Sequence, residues 1–221
     1  MTTMDAHQPL HLLRDRRGSI GLELAMMIPL LMLLLVGFYE AYMYIRAVAQ
    51  VERASASVGS MMSRQTRPLS ECSQATSSLD LGTYVDLTTR MMTPLPFARS
   101  GEVIFSSVGR GPGGNPQVLW QRRSTFTVTG ASSALGKQGD AAALPTALAN
   151  VVIADPNINI LVAEVFYRFT PFSMTSTWWP QGAGAVTISR HAYLRARTFN
   201  QGVLTPASVT PGCIALPTPP A

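Results

Sequence analysis

The sequence has few of the residues that catalytic and metal sites are usually built from. Its 221 residues include three histidines and two cysteines. His7 and His11 precede the long apolar segment, which leaves His191 as the one histidine in the rest of the chain. One histidine is too few for a histidine-rich zinc site and gives little support for a serine–histidine pair. With no C-x-x-C spacing, a thioredoxin-like redox site is also disfavoured.

Nucleotide-binding motifs are missing as well. The glycine-rich stretch "GRGPGG" at residues 109–114 lacks the strand–loop–helix context in which glycines cradle a phosphate. Glu102 and Glu164 could form an acid/base pair, but ion pairing to Arg168 or Arg190 is the commoner fate of such residues. We therefore predict that the chain is not an enzyme and that it holds no cofactor and no metal.

Lysine is nearly absent, although the chain is basic. The net charge is +5, and Lys137 is the single lysine. The densest basic stretches are "WQRRS" and "RHAYLRAR", and neither lies in a recognised nucleic-acid-binding module. We expect no nucleic-acid partner. Attraction to acidic surfaces such as lipid headgroups explains the charge equally well.

Charged residues are also missing from residues 24–39, which form an apolar run of sixteen residues. As a helix this run is about 24 Å long, slightly less than a hydrocarbon layer of ~30 Å. Residues typical of membrane interfaces flank it, namely Arg14, Arg16 and Arg17 before it and Phe38, Tyr39, Tyr42 and Tyr44 after it. The arginines predict a cytoplasmic N-terminus, with the rest of the chain outside the cytoplasmic membrane.

Three interpretations of this segment are open. A cleaved secretory signal needs a small-x-small site, and the best candidate, Ala54-Ser55-Ala56, lies well past the apolar run. A permanent signal anchor explains everything except Glu23, a carboxylate at the cytoplasmic end of the segment. Cleavage between Gly18 and Ser19 explains Glu23, because it creates an amino group four residues before the carboxylate, on the same helix face. The simpler alternative is that Glu23 lies in the headgroup zone.

Gly18, Glu23 and the run "LAMMIPLLMLLLVGFYEAYMY", which Pro29 interrupts, resemble the N-terminus of the TadE-like pseudopilins. These are minor components of the bacterial tight-adherence (Flp, type IVb) pilus machinery. Residues 101–124, 161–172 and 189–199 resemble later segments of that family more loosely.

The resemblance implies cleavage by a prepilin peptidase after Gly18 and a role in pilus assembly or adhesion. It also implies contacts with other pilins, pseudopilins and inner-membrane assembly proteins. The protein is expected in the inner membrane, which it crosses once, with its C-terminal domain outside. Incorporation into a pilus is a further expectation of the resemblance. The rival function is a periplasmic enzyme or binding protein on a permanent anchor.

The chain is predicted to have three parts: a basic leader (residues 1–18), a membrane and neck helix (19–66) and an extracytoplasmic domain (67–221). A stripe of apolar residues, Val48, Val51, Val58 and Met62, continues the helix pattern. We expect this stripe to pack on the chain's own domain, with a partner's helix as the alternative. The helix should end near Arg67-Pro68, because the residue before proline avoids helical geometry.

The external domain is predicted to be α+β, with a pilin-like antiparallel sheet and a proline-rich tail. Strands are indicated in residues 101–109, 116–129, 157–169 and 185–197, and a short helix in residues 141–149. Residues 158–167 are apolar on both faces, which is typical of a central strand. Cys72 and Cys213 are predicted to form a disulfide, because a cysteine pair outside the cytoplasm usually does. That bridge would tie the tail to the end of the long helix.

Overall fold

The computed structural model describes residues 17–171 and 184–219, and the chain divides into two units between Met43 and Tyr44. The helices are α1 (Arg17–Ser63), α2 (Leu81–Met91), α3 (Phe97–Ser100) and α4 (Thr146–Ala154). The strands are β1 (Gly101–Arg110), β2 (Pro116–Arg123), β3 (Ile160–Phe169) and β4 (Val186–Arg195). Two short 3-10 helices follow, Phe199–Gly202 and Ala207–Val209. The predicted α+β class and the long N-terminal helix are confirmed.

Helix α1 is rich in leucine, methionine and alanine, which favour helix, and it contains Pro29. It ends at Ser63, before the predicted end near Arg67-Pro68. The side-chain amide of Gln201 donates to the carbonyl oxygens of Gln65, at 3.1 Å, and Arg67, at 2.7 Å. The chain after Ser63 therefore binds a later segment in place of continuing the helix.

The four strands form one antiparallel sheet in the order β2-β1-β3-β4. Strand β3 lies between β1 and β4 and is buried along nearly its whole length, which confirms it as a central strand. The turn between β1 and β2 contains the "GRGPGG" stretch, where Gly114 has a φ of +80° that favours glycine. This stretch joins two strands, as expected for a turn and not for a phosphate loop.

The second half of α1 packs on the sheet face that carries Ala163. The α1 residues with no exposed surface are Ala47, Val51, Ala54, Val58 and Met62. A side chain at Gly59 would contact Leu194, Ala163 and Ala192, so helix and sheet approach closely here. Two aromatic contacts lie on the same face, Tyr44 with Phe169 and, from α2, Tyr84 with Phe105. The predicted intramolecular packing is confirmed, although Val48 is only half-buried and the alanines carry part of the stripe.

The opposite face of the sheet is covered by α4 and by the chain between β2 and α4. Its apolar core consists of Val108, Val118, Leu135, Val152, Ile158, Ile160 and Val162. Apolar side chains therefore cover both faces of β3, which explains why its sequence is apolar on both sides.

Two further sequence-based boundaries were wrong, and one helix was not predicted. Strand β2 ends at Arg123, because the chain turns there and the Ser124 hydroxyl donates to the Phe126 carbonyl. Helix α4 begins at Thr146, after the predicted start at residue 141, because the preceding residues are extended and bonded to Pro116 and Leu135. Helix α2 had no counterpart in the sequence-based prediction.

Candidate functional site

The first part of α1 is the strongest candidate for a functional segment. Within Gly21–Ser63, a segment of 18 residues has a mean hydropathy of 2.2, and none of these 18 residues is buried. Leu22, Met26, Leu33 and Phe38 are each about two-thirds exposed or more. Exposed apolar side chains of this number are typical of a membrane-spanning helix. The chain therefore has one helix that is long and apolar enough to span a membrane, as predicted, while its orientation stays a prediction.

The predicted cleavage site lies at the very start of this helix. Gly18 and Ser19 are in the first turn of α1, and Glu23 is exposed one turn later. Residues four apart on a helix have Cβ atoms about 5–6 Å apart, so an amino group on Ser19 could reach the Glu23 carboxylate. The structure thus places the three residues in one short stretch, and it leaves their cleavage and pairing as predictions.

A disulfide joins Cys72 to Cys213, with Cα atoms 5.5 Å apart, as predicted. Cys72 is buried, and it lies beyond the end of α1 in the loop that leads to α2. The bridge therefore ties the tail to this loop and not to the helix end. Backbone hydrogen bonds run beside it, from Ser73 N to the Ile214 carbonyl and from Leu216 N to the Glu71 carbonyl.

Glu71 joins the tail to the sheet, a role that no local sequence pattern predicted. Its carboxylate accepts from the guanidinium of Arg122 at 2.8 Å and from the backbone N–H of Ala207 at 3.0 Å. Burial alone raises the pKa of Glu71, but the Ala207 hydrogen bond and Arg122 outweigh it and lower the pKa below the ordinary value. One side chain thus connects β2, the loop after α1 and the C-terminal tail.

Glu102 and Glu164 are not paired with Arg168 or Arg190, so that expectation was wrong. Both are buried on the face of the sheet that lies under the β2–α4 connection, and both bind that connection. Glu102 accepts the N–H of Val128 at 2.7 Å and lies 3.7 Å from Arg123. Glu164 accepts the Ser133 hydroxyl and the Ala134 N–H. Burial raises the pKa of both carboxyl groups. Both side chains hold the β2–α4 connection on the sheet. The spacing of residues in the sequence could not predict this role, because the partners lie in a loop.

His191 lies on β4 directly opposite Glu164, with its ring 5.3 Å from that of Tyr193. It is exposed. Within residues 17–171 and 184–219 no group of three or more His, Cys, Asp and Glu residues could hold a metal. His7, His11, Arg14, Arg16 and the Trp178-Trp179 pair lie outside the described residues.

Comparison of the chain with protein families, with curated proteins and with solved structures finds no match in any of the three. The TadE-like family stays a prediction that rests on the N-terminal residues.

Removing the disulfide should destabilise the unit formed by Tyr44–Ala221. The bridge closes a loop with a sequence separation of 141 residues, which corresponds to about 4–5 kcal/mol on the chain-entropy model. We expect the Cys72→Ala/Cys213→Ala double variant to unfold at much lower urea concentration than the wild type, measured on the full chain in detergent. The wild type under a reducing agent serves as the matched comparison. Equal stability of all three would contradict a structural role for the bridge.

The buried glutamates should make the domain less stable as pH rises. A carboxyl group whose folded pKa is raised contributes stability below its ordinary value of 4.5, and this is lost as pH rises through the folded pKa. We expect Glu164→Gln to reduce the decline in unfolding free energy as pH rises above the ordinary value of 4.5, with the remainder due to Glu102. Urea unfolding across this range measures it.

Glu71→Gln is the matched control for this measurement. Its pKa is lowered, so its contribution is present above the ordinary value and is lost only as pH falls below it. This variant should therefore leave the slope above about pH 4.5 unchanged while lowering stability overall. An identical slope in Glu164→Gln and the wild type would show that Glu164 does not titrate with folding.

Proposed function

We propose that this protein is a minor pseudopilin of a tight-adherence (Flp, type IVb) pilus system. It is made as a membrane precursor, cleaved by a prepilin peptidase after Gly18, and acts with other pilins and inner-membrane assembly proteins in pilus assembly or adhesion. The observation that carries the proposal is the arrangement at the start of α1, where Gly18, Ser19 and Glu23 lie in the first two turns, next to the exposed apolar part of the helix.

The large external unit supports a minor role over a role as the bulk filament subunit. The major pilins of this system are very short, whereas here a four-stranded sheet, three further helices and a disulfide follow residue 43. A subunit of this kind is suited to initiating, priming or capping a pilus.

Glu23 gives the apolar helix a reason to leave the lipid for a protein environment. A carboxylate in the hydrocarbon layer costs about 3 kcal/mol on insertion scales. The amino group that cleavage creates on Ser19 offsets this cost, either within one subunit or between neighbouring subunits. Assembly then brings Glu23 together with a cationic partner, which makes processing and association two steps of one mechanism.

The processing step predicts a mature N-terminus at Ser19. We expect N-terminal sequencing of the protein from its native membranes to begin at that residue. Gly18→Leu should leave the precursor uncleaved, because the peptidase must grip backbone without a side chain at this position. Gly21→Leu is the control, since a side chain at Gly21 meets no atom within 4 Å. A wild-type protein that still begins at Met1 would show that the leader is retained, and one that begins after Ala56 would show a secretory signal.

The assembly step predicts that the charge of Glu23 is required. We expect Glu23→Gln to lower the amount of other pilins that co-purify with this protein by about tenfold, because the amide cannot pair with an ammonium group. Glu40→Gln removes a carboxylate from the same helix beyond the uncharged run and should leave co-purification unchanged. If both variants assemble like the wild type, the pairing of Glu23 is not part of assembly.

A further inference from the structure

Strand β4 is an edge strand with a long open side. It pairs with β3 over all ten residues, from Ile160 opposite Arg195 to Phe169 opposite Val186. In the described residues no other strand pairs with it. An edge of this length exposes a row of backbone N–H and C=O groups that can receive a further strand. The register contains no bulge and the strand no proline, which are two of the devices that prevent such pairing.

Strand β4 carries two exposed arginines, Arg190 and Arg195, which lie on opposite faces of the sheet, and Arg168 of the neighbouring β3 is also exposed. In residues 17–171 and 184–219 none of the three has an ion pair. The guanidinium of Arg190 donates to the neighbouring Ser189 carbonyl at 2.8 Å. The one carboxylate opposite β4, that of Glu164, is buried and already accepts hydrogen bonds from Ser133 and Ala134. The positive charge at this edge is therefore not balanced by the domain itself.

A second copy of the chain is not suited to balance this charge. Strand β4 contains no aspartate or glutamate, so a second β4 would bring no carboxylate to Arg190 or Arg195. The same charge favours an acidic strand, since opposite charges across strands are stabilising.

An apolar pocket lies beside the C-terminal half of the same strand. Its volume is about 230 Å³. It is lined by Leu148 and Val151 of α4, by Ile158, which precedes β3, by Ile160 of β3 and by Tyr193 of β4. Val151 is 39% exposed at its rim. Tyr193 is on the α4 side of the sheet, so a strand added to β4 would direct every second side chain to this side. One apolar residue of an added strand could therefore enter the pocket.

We propose that β4 receives an extended acidic segment of another polypeptide, which adds to the sheet as a fifth strand and inserts one apolar side chain beside Val151. Backbone hydrogen bonds give such a contact its affinity, and the charges and the pocket give it its specificity. An acidic lipid surface would bind the arginines, but it has no backbone groups that could pair with the edge of β4. The inference goes beyond the proposed function and does not depend on it, because it concerns the external domain alone.

The test uses the full chain in neutral detergent and a fluorescein-labelled peptide in which glutamate alternates with valine around a central leucine. We expect the peptide to bind and to slow amide hydrogen exchange in β4. Arg190→Glu should weaken binding by about tenfold, and Lys137→Glu, an equal charge change on an exposed side chain outside this edge, should not. Val151→Asp should weaken binding more than Val203→Asp, which changes an exposed valine outside the pocket.

Other outcomes overturn the inference. The peptide could fail to bind, or a peptide with lysine in place of glutamate could bind equally well. Binding that leaves β4 exchange unchanged would reveal charge attraction without strand addition. Vesicles of phosphatidylglycerol that bind through Arg190 while the peptide does not would assign the edge to lipid. A dimer of the wild-type chain that Arg190→Glu alters would assign it to a second copy.

Discussion

The packing of α1 on the sheet is the contact on which the external unit depends. Ala47, Val51, Ala54, Val58 and Met62 lose all contact with water on the face that carries Ala163. At about 1.5–3 kcal/mol for each of the larger side chains, this stripe supplies a large part of the stability of a domain of this size. Small residues at positions 47, 54 and 59 bring the helix close to the strands.

The same helix begins in the apolar segment, so one element serves two environments. From residue 24 to 39 its side chains are exposed and uncharged, and from Ala47 onward one stripe of the helix is buried on the sheet. The sequence difference is simple: leucine and methionine surround the first part on all sides, whereas apolar and small residues form a stripe in the second. A protein that uses α1 for assembly can therefore keep its external domain folded on the part that does not enter the membrane.

Contacts between residues distant in sequence complete the external unit. The disulfide and Glu71 fix the C-terminal tail against the loop after α1 and against β2. Glu102 and Glu164 fix the chain between β2 and α4 on the sheet. Burial destabilises the charged forms of Glu102 and Glu164 more than their hydrogen bonds stabilise them, as the raised pKa values of both groups show.

Local patterns were sufficient to predict the long helix, its apolar stripe, the four strands and the central place of β3. They failed where the partner comes from far along the chain. Helix α1 ends early because Gln201 binds the carbonyls beyond it, and no local signal marks that contact. Helix α2 was missed because its threonines and valine are residues common in strands. The disulfide could be predicted because a cysteine pair outside the cytoplasm usually forms one. The partners of Glu71, Glu102 and Glu164 could not be predicted, because they depend on where the loops lie.

Replacing residues 1–43 with an unrelated single-pass anchor tests the central claim most directly. The external unit begins at Tyr44, whose ring packs on Phe169, so the exchange leaves its contacts in place. If α1 acts in assembly, the exchanged protein reaches the membrane with its disulfide formed, yet it fails to restore pilus formation in a strain that lacks the native protein. Full restoration by the exchanged protein would contradict the pseudopilin account and favour an anchored periplasmic enzyme or binding protein.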